Sequence, residues 1–191
     1  MKKKTWIILG AVALVLVILI GAVISGYNGL VDMQTAVEGK QASIQTQLQR
    51  RADLIPNFVE TVKGYSDYEQ QTYQAVTEAR AAVGKAESPE EQAAASNQLD
   101  SAIDIWVNAV TEAYPELKAN EQYKALTDEL AGTENRIAVA RKDYNEVVQS
   151  YNAAIRKFPK SLLAGLFGFE KAEFFEADAD AQDVPEVSFG D

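Results

Sequence analysis

Residues 121–158 read EQYKALTDELAGTENRIAVARKDYNEVVQSYNAAIRKF. Apolar or small side chains recur at Tyr123, Leu126, Leu130, Thr133, Ile137, Ala140, Tyr144, Val147, Tyr151, Ala154 and Phe158, alternately three and four residues apart. A stripe with a mean period of 3.5 stays on one face of a helix, as in coiled coils and helical bundles. Glu, Lys, Arg, Gln and Asn fill most other positions. Pro115 opens the region and Pro159 closes it, because proline suits a first turn and interrupts a continuing helix. The stretch predicts a helix over about 118–158 whose single apolar stripe must be covered by partner helices.

Those partners are legible upstream. Ser88-Pro89-Glu90-Glu91 combines a capping hydroxyl, a proline in the first turn and acids at the positive end of the helix dipole. It predicts a helix over about 89–113 with Leu99, Ile103, Trp106 and Val110 inward. Phe58, Val62, Tyr65, Val76 and Val83 mark another over about 56–84, ending at the break Gly84-Lys85-Ala86. Leu30, Val37, Ile44 and Leu48 mark a first over about 27–54. The junction Leu54-Ile55-Pro56-Asn57 is read as a turn, because matched helix lengths bury more surface; the alternative is a kink within one long helix.

Before the body comes Lys2-Lys3-Lys4, then no charge from Thr5 to Val31. Trp6 to Ile24 is almost wholly Ile, Leu, Val, Ala and Gly, and about 20 such residues cross a bilayer core. The run is longer than the apolar region of a secretory signal, and Val23-Ile24-Ser25 is a poor cleavage site. Residues 5–26 therefore read as an uncleaved transmembrane helix, bracketed by Trp6 and Tyr27. The lysines ahead of it place residues 1–4 in the cytoplasm and the body outside a bacterial plasma membrane. The fold expected is all-α: a transmembrane helix followed by an elongated antiparallel up-and-down bundle, of four helices, or three with a kink at Pro56.

Composition excludes much chemistry. The chain has 191 residues, no histidine and no cysteine. No disulfide, zinc knuckle, thiolate nucleophile or histidine-based triad can form. No P-loop and no glycine-rich dinucleotide motif is present. No enzyme activity, catalytic residue, metal, cofactor or small-molecule substrate is expected. The charge is −10; setting aside the three leading lysines leaves 15 basic against 28 acidic side chains, a body at −13. Nucleic acid is excluded as a partner, since phosphate binding needs a basic surface.

Several polar strings stand inside the helices: QLQRRADLIPN at 47–57, Tyr114-Pro115-Glu116-Leu117-Lys118, TENRI at 133–137, Tyr144-Asn145, Tyr151-Asn152 and Phe158-Pro159. Their order and spacing, with the N-terminal anchor, resemble the LemA family of bacterial membrane proteins, over nearly the whole chain. The resemblance implies a single-pass membrane protein with an elongated helical bundle and implies no reaction. Relatives often carry a tryptophan near the position of Lys40-Gln41-Ala42, which this chain lacks.

Two candidate surfaces follow. Arg50, Arg51, Asp53 and Asn57, with Glu134, Asn135 and Arg136, are candidates for partner recognition or for fixing helix register; Thr133 sits on the seam, where a buried polar group can set register. Residues 159–169 form an apolar segment with Gly165 and Gly168; Lys160, Leu162, Leu163, Leu166, Phe167 and Phe169 are candidates for contact with the membrane surface. Glu170 to Asp191 is an acidic tail, with Val184 to Phe189 able to dock as an extended piece. The expected role is a non-enzymatic scaffold or adaptor anchored in the envelope. It would contact lipid through its anchor and other copies or membrane proteins through its body. The alternative is a protein that binds or organises envelope lipids.

Overall fold

A computed structural model describes residues 2–63 and 70–175. Among them the elements are all helical: α1 (Lys2–Lys63), α2 (Gln70–Val83), α3 (Pro89–Ala113), a 3-10 helix (Pro115–Ala119), α4 (Glu121–Ala154) and α5 (Lys160–Phe167). The chain divides into two compact units. The first is Met1–Gly39 with Glu146–Ala172; the second is Lys40–Asn145 with the chain from Glu173 onward.

In the second unit, α1 to α4 surround one core. Ile55, Phe58, Val76, Leu99, Ile103, Trp106, Val110, Leu117, Tyr123 and Leu130 are buried in it. The Phe58 ring meets Trp106 edge-on at 4.8 Å and Tyr123 at 5.2 Å. Cross-helix pairs fix the directions. α1 and α4 meet at Phe58–Tyr123, Arg50–Glu129 and Lys40–Asp143, so they are antiparallel. α1 and α3 meet at Arg51–Asp100 and Phe58–Trp106, so they are parallel. α2 returns from Gln70 to place Arg80 beside Ala52. The order is up, down, up, down.

The turn expected at Leu54–Asn57 is absent: α1 continues through Pro56 to Lys63. Proline at position 56 has no N–H to give the carbonyl of Ala52, four residues back. Arg80 supplies it instead, its Nε donating to that carbonyl at 3.0 Å. Ala52 is buried, so water has only limited access to that carbonyl. Ile55, Phe58 and Val59 are buried and Pro56 is exposed, which directs the ring outward and keeps the helix packed.

α3 starts with the expected cap. Ser88 Oγ accepts from the N–H of Glu91, and the Glu91 carboxylate accepts from the N–H groups of Glu87 and Ser88. Those two bonds hold the Glu91 pKa below the usual carboxylate value. The region expected as one helix over 118–158 is divided. Pro115 opens the 3-10 helix, then Asn120 Oδ1 accepts from the N–H groups of Gln122 and Tyr123 to start α4. The 3.5-residue seam is buried at Tyr123, Leu130, Thr133, Ile137, Ala140, Tyr144, Tyr151 and Ala154. It departs at Val148, which is fully buried beside a half-buried Val147, and at Phe158, which is 80% exposed because α4 has ended at Ala154.

In the first unit, Leu30, Val37, Val148, Tyr151, Ala154, Ile155 and Ala164 are buried. The apolar residues from Trp6 to Ile24 lie on α1 with none of them covered by protein. The apolar segment expected over 159–169 contains α5, closed by Gly168 at φ 74°, where glycine adopts the left-handed conformation without steric cost. The acidic tail is not uniformly free. In this unit Asn152 holds the Ala172 peptide from both sides, Nδ2 donating to its carbonyl at 2.8 Å and Oδ1 accepting its N–H at 3.0 Å. In the second unit Asn145 holds Phe175 in the same way at 2.9 and 2.8 Å. Tyr65 and the extended piece expected at Val184–Phe189 lie outside the described residues.

Candidate functional site

The QLQRRADLIPN string is helical, so its residues separate by face. Arg51 is only 2% exposed and points into the second unit; Arg50, Asp53 and Asn57 are exposed. Arg51 Nη1 pairs with the Asp100 carboxylate of α3, and its Nη2 lies 3.9 Å from Glu134 of α4. One guanidinium thus reaches both neighbouring helices. The fork geometry of arginine suits such a pairing, whereas lysine offers a single point charge. Burial pushes the Asp100 pKa up, and the charges of Arg51 and Arg141 oppose that rise without cancelling it. Desolvation therefore exceeds the attraction at this carboxylate, as is common for buried ion pairs.

The candidate for fixing register moves accordingly. The hydroxyl of Thr133, fully buried, donates to the Leu130 carbonyl of its own helix at 2.7 Å. Among the described residues it links no second helix. Arg51 does, and so does Arg141, whose Nη2 donates to the buried Ser96 Oγ at 2.5 Å while its guanidinium lies 4.7 Å from the centre of the Phe175 ring.

Outside this layer, Glu129 joins the two strings. Arg50 Nη2 lies 2.6 Å and Arg136 Nη1 3.1 Å from the same oxygen, Oε1. Bonds from Arg136 and Arg50 hold the Glu129 pKa below the usual range. Asn135 makes no such link among the described residues; its Nδ2 donates to the Ala131 carbonyl within α4. Asp53 Oδ1 accepts from Gln49 Nε2 at 2.8 Å and lies 3.9 Å from Arg80 Nη2.

Arg50, Asp53 and Asn57 share a groove of about 810 Å³ between α1 and the connection from α2 to α3. Gln45, Gln49 and Gln92 line it with them, and Leu48, Leu54 and Val83 supply apolar floor. Donors, acceptors and one cation stand along this helix face over apolar ground.

The second set of candidates lies in the first unit. Leu163 meets α1 so closely that a Cβ on Gly26 would stand 2.6 Å from Leu163 Cδ1. Phe167 and Phe169 meet the Tyr27 ring edge-on at 4.8 and 5.7 Å. A Cβ on Gly29 would stand 3.5 Å from Lys160 Nζ. Leu162 and Leu166 face away and are exposed.

Sequence reasoning missed Arg80, Asp100, Glu129, Asn145 and Asn152 as structural residues. Only the asparagines carry a signal: each follows a seam tyrosine, and the Tyr-Asn pair repeats after seven residues. Burial also raises the pKa of both tyrosines, with Glu173 adding to the effect at Tyr144 and Glu170 at Tyr151.

Known proteins share this arrangement of sequence. The chain is 26% identical to magnetosome protein MamQ 2 of Paramagnetospirillum magneticum, over 88% of this chain and 71% of the relative. It is 25% identical to magnetosome protein MamQ of Magnetospirillum gryphiswaldense, over 91% and 72%. Protein LemA of Metamycoplasma hominis is 26% identical over 78% and 68%. The model of the LemA family matches residues 40–189, which include both polar strings and the asparagines that hold the chain after α5. With the apolar run of α1 ahead of that match, the chain is a membrane-associated protein and belongs to the LemA family.

Proposed function

We propose that this protein is a non-enzymatic scaffold or adaptor, anchored by α1 in the bacterial plasma membrane and acting through protein contacts of its second unit. The observation that carries the reading is the outward face of α1. Arg50, Asp53 and Asn57 are not needed to fill the core, yet they stand together along one groove. The residues that hold the helices in register, Arg51 and Asp100, lie beneath and leave that face to a partner. The lack of any histidine or cysteine fits a role in holding proteins together rather than transforming them.

The charge asymmetry about the span supports a cytoplasmic N-terminus and a body on the outer side. Protease added to intact cells tests this: digestion of the body is expected, and full protection would overturn the orientation. The partner role is tested by placing a photocrosslinking residue at 49, 53 or 57 in the full chain in native membranes. Discrete protein adducts, including a band of two copies if the partner is a second chain, are expected from these positions and not from exposed position 138. The same adducts from position 138, or none from the groove, would remove the proposal.

A further inference from the structure

The first unit carries an apolar face that none of the described residues covers. Leu162 and Leu166 are four residues apart on one side of α5 and are 65% and 76% exposed; Phe158, just ahead, is 80% exposed. The opposite side of the same short helix is used: Ala164 is buried and Leu163 is packed against Gly26. A surface helix of a water-soluble body turns its aliphatic residues inward and its polar ones outward. α5 is apolar on both sides.

Its position identifies what covers the outer side. α5 and the residues after it rest on Gly26 and Tyr27, directly after the apolar run Trp6–Ile24. With that run spanning the hydrocarbon, each further residue of α1 advances about 1.5 Å. Positions 26 to 29 then fall within about 8 Å of the hydrocarbon edge, at the level of the lipid headgroups. The Tyr27 ring, held between Phe167 and Phe169, is an interfacial aromatic with its apolar surroundings supplied by α5. The exposed face thus stands at the level where the uncovered apolar run of α1 ends. Arg156, Lys157 and Lys160 flank it, in reach of phosphate groups through long flexible stems.

We propose that α5 and the preceding turn form an interfacial foot: Phe158, Leu162 and Leu166 enter the headgroup–acyl boundary of the bilayer that α1 crosses, while Arg156, Lys157 and Lys160 engage lipid phosphates. The foot fixes the first unit against the membrane plane and does not depend on the partner groove.

The absence of cysteine makes the test direct, since one introduced thiol takes one fluorophore. Full-length Leu162→Cys, Leu166→Cys and Ser150→Cys proteins carry an environment-sensitive dye and are reconstituted in phosphatidylcholine–phosphatidylglycerol vesicles with acyl-brominated lipid. Several-fold stronger quenching at 162 and 166 than at 150 is expected, unchanged as protein is diluted into lipid. Quenching at 162 and 166 no stronger than at 150 would overturn the foot. Shielding that fades on dilution, with crosslinking between two copies at 166, would assign the face to a second chain instead. Adding Arg156→Gln and Lys157→Gln is expected to lower quenching at 166 only when phosphatidylglycerol is present; an equal loss in phosphatidylcholine alone, or none in either, would remove the phosphate contacts.

Discussion

The passage of α1 through Pro56 rests on one side chain, and that makes it testable. Arg80→Met keeps an apolar stem of similar length and removes the Nε–H that the Ala52 carbonyl accepts at 3.0 Å. A buried carbonyl left unpaired costs about 1–3 kcal/mol. Arg80 is 42% exposed, so water competes for the bond and the lower part of that range, about 1–2 kcal/mol, is expected. The arginine also lies 3.9 Å from Asp53, an exposed pair that contributes less than about 0.5 kcal/mol. Pro56→Ala separates the two effects. Alanine restores the backbone N–H to Ala52, so Arg80→Met in that background should lose only the ion pair. The expected coupling between the two substitutions is about 1 kcal/mol or more. The assay is urea unfolding of the full chain in detergent, followed by Trp106 fluorescence in a Trp6→Phe background; Trp106 is buried against Phe58 and reports the core. An equal cost for Arg80→Met with and without the proline would refute the reasoning, and would mean that core packing alone carries α1 past position 56.

Arg51→Met leaves the half-buried Asp100 carboxylate with its main countercharge gone, at a cost of about 2 kcal/mol near neutral pH, below that of a fully buried charge. The Asp100 pKa is raised in the folded protein, so the folded state binds its proton more tightly than the unfolded chain. Its contribution to stability therefore declines as pH rises above about 4, and Arg51→Met should steepen that decline in urea titrations. A cost that grows toward acid would contradict this. Replacing Arg51 and Asp100 together by Met and Leu should restore most of the stability at neutral pH. Asn152→Ala and Asn145→Ala should each cost about 1–2 kcal/mol and release the Ala172 and Phe175 amides to hydrogen exchange; retained protection would show that packing holds those residues. Ser88→Ala removes the α3 cap and should cost about 1 kcal/mol, measured by the same unfolding assay.

The sequence carries those parts of the structure whose causes are local. Ser88 and Glu91 are three residues apart and cap α3 as their spacing dictates. Ile44, Leu48, Leu99, Ile103 and Trp106 are buried because helical periodicity places them on one face. The course of α1 at Pro56 was not legible, since the compensating donor stands 28 residues away in α2. The seam failed at Phe158 for a different reason: periodicity continues in the letters after the helix has stopped at Ala154. In the candidate site, alternation of faces could have separated Arg51 from Arg50, Asp53 and Asn57. The counterion Asp100 could not be chosen from several acids on α3 without the packing.

Several polar side chains have a physical cause once their partners are known. They place a donor or acceptor where a backbone group lacks one, or pair charges between helices. Arg80 answers the carbonyl freed by Pro56, and Asn120 caps α4. Asn145 and Asn152 bond chain that has no helix of its own. Arg51 pairs across to Asp100, a costly burial that well-packed apolar residues could replace without loss of stability. These tasks account for Arg51, Arg80, Asn120, Asn145 and Asn152. They leave Arg50 only partly engaged through Glu129, and Asp53 and Asn57 with no cross-helix hydrogen bond among the described residues. A stable bundle needs none of those three on one face, so if substitutions there leave unfolding unchanged but abolish crosslinking, their purpose lies in what they touch outside the chain.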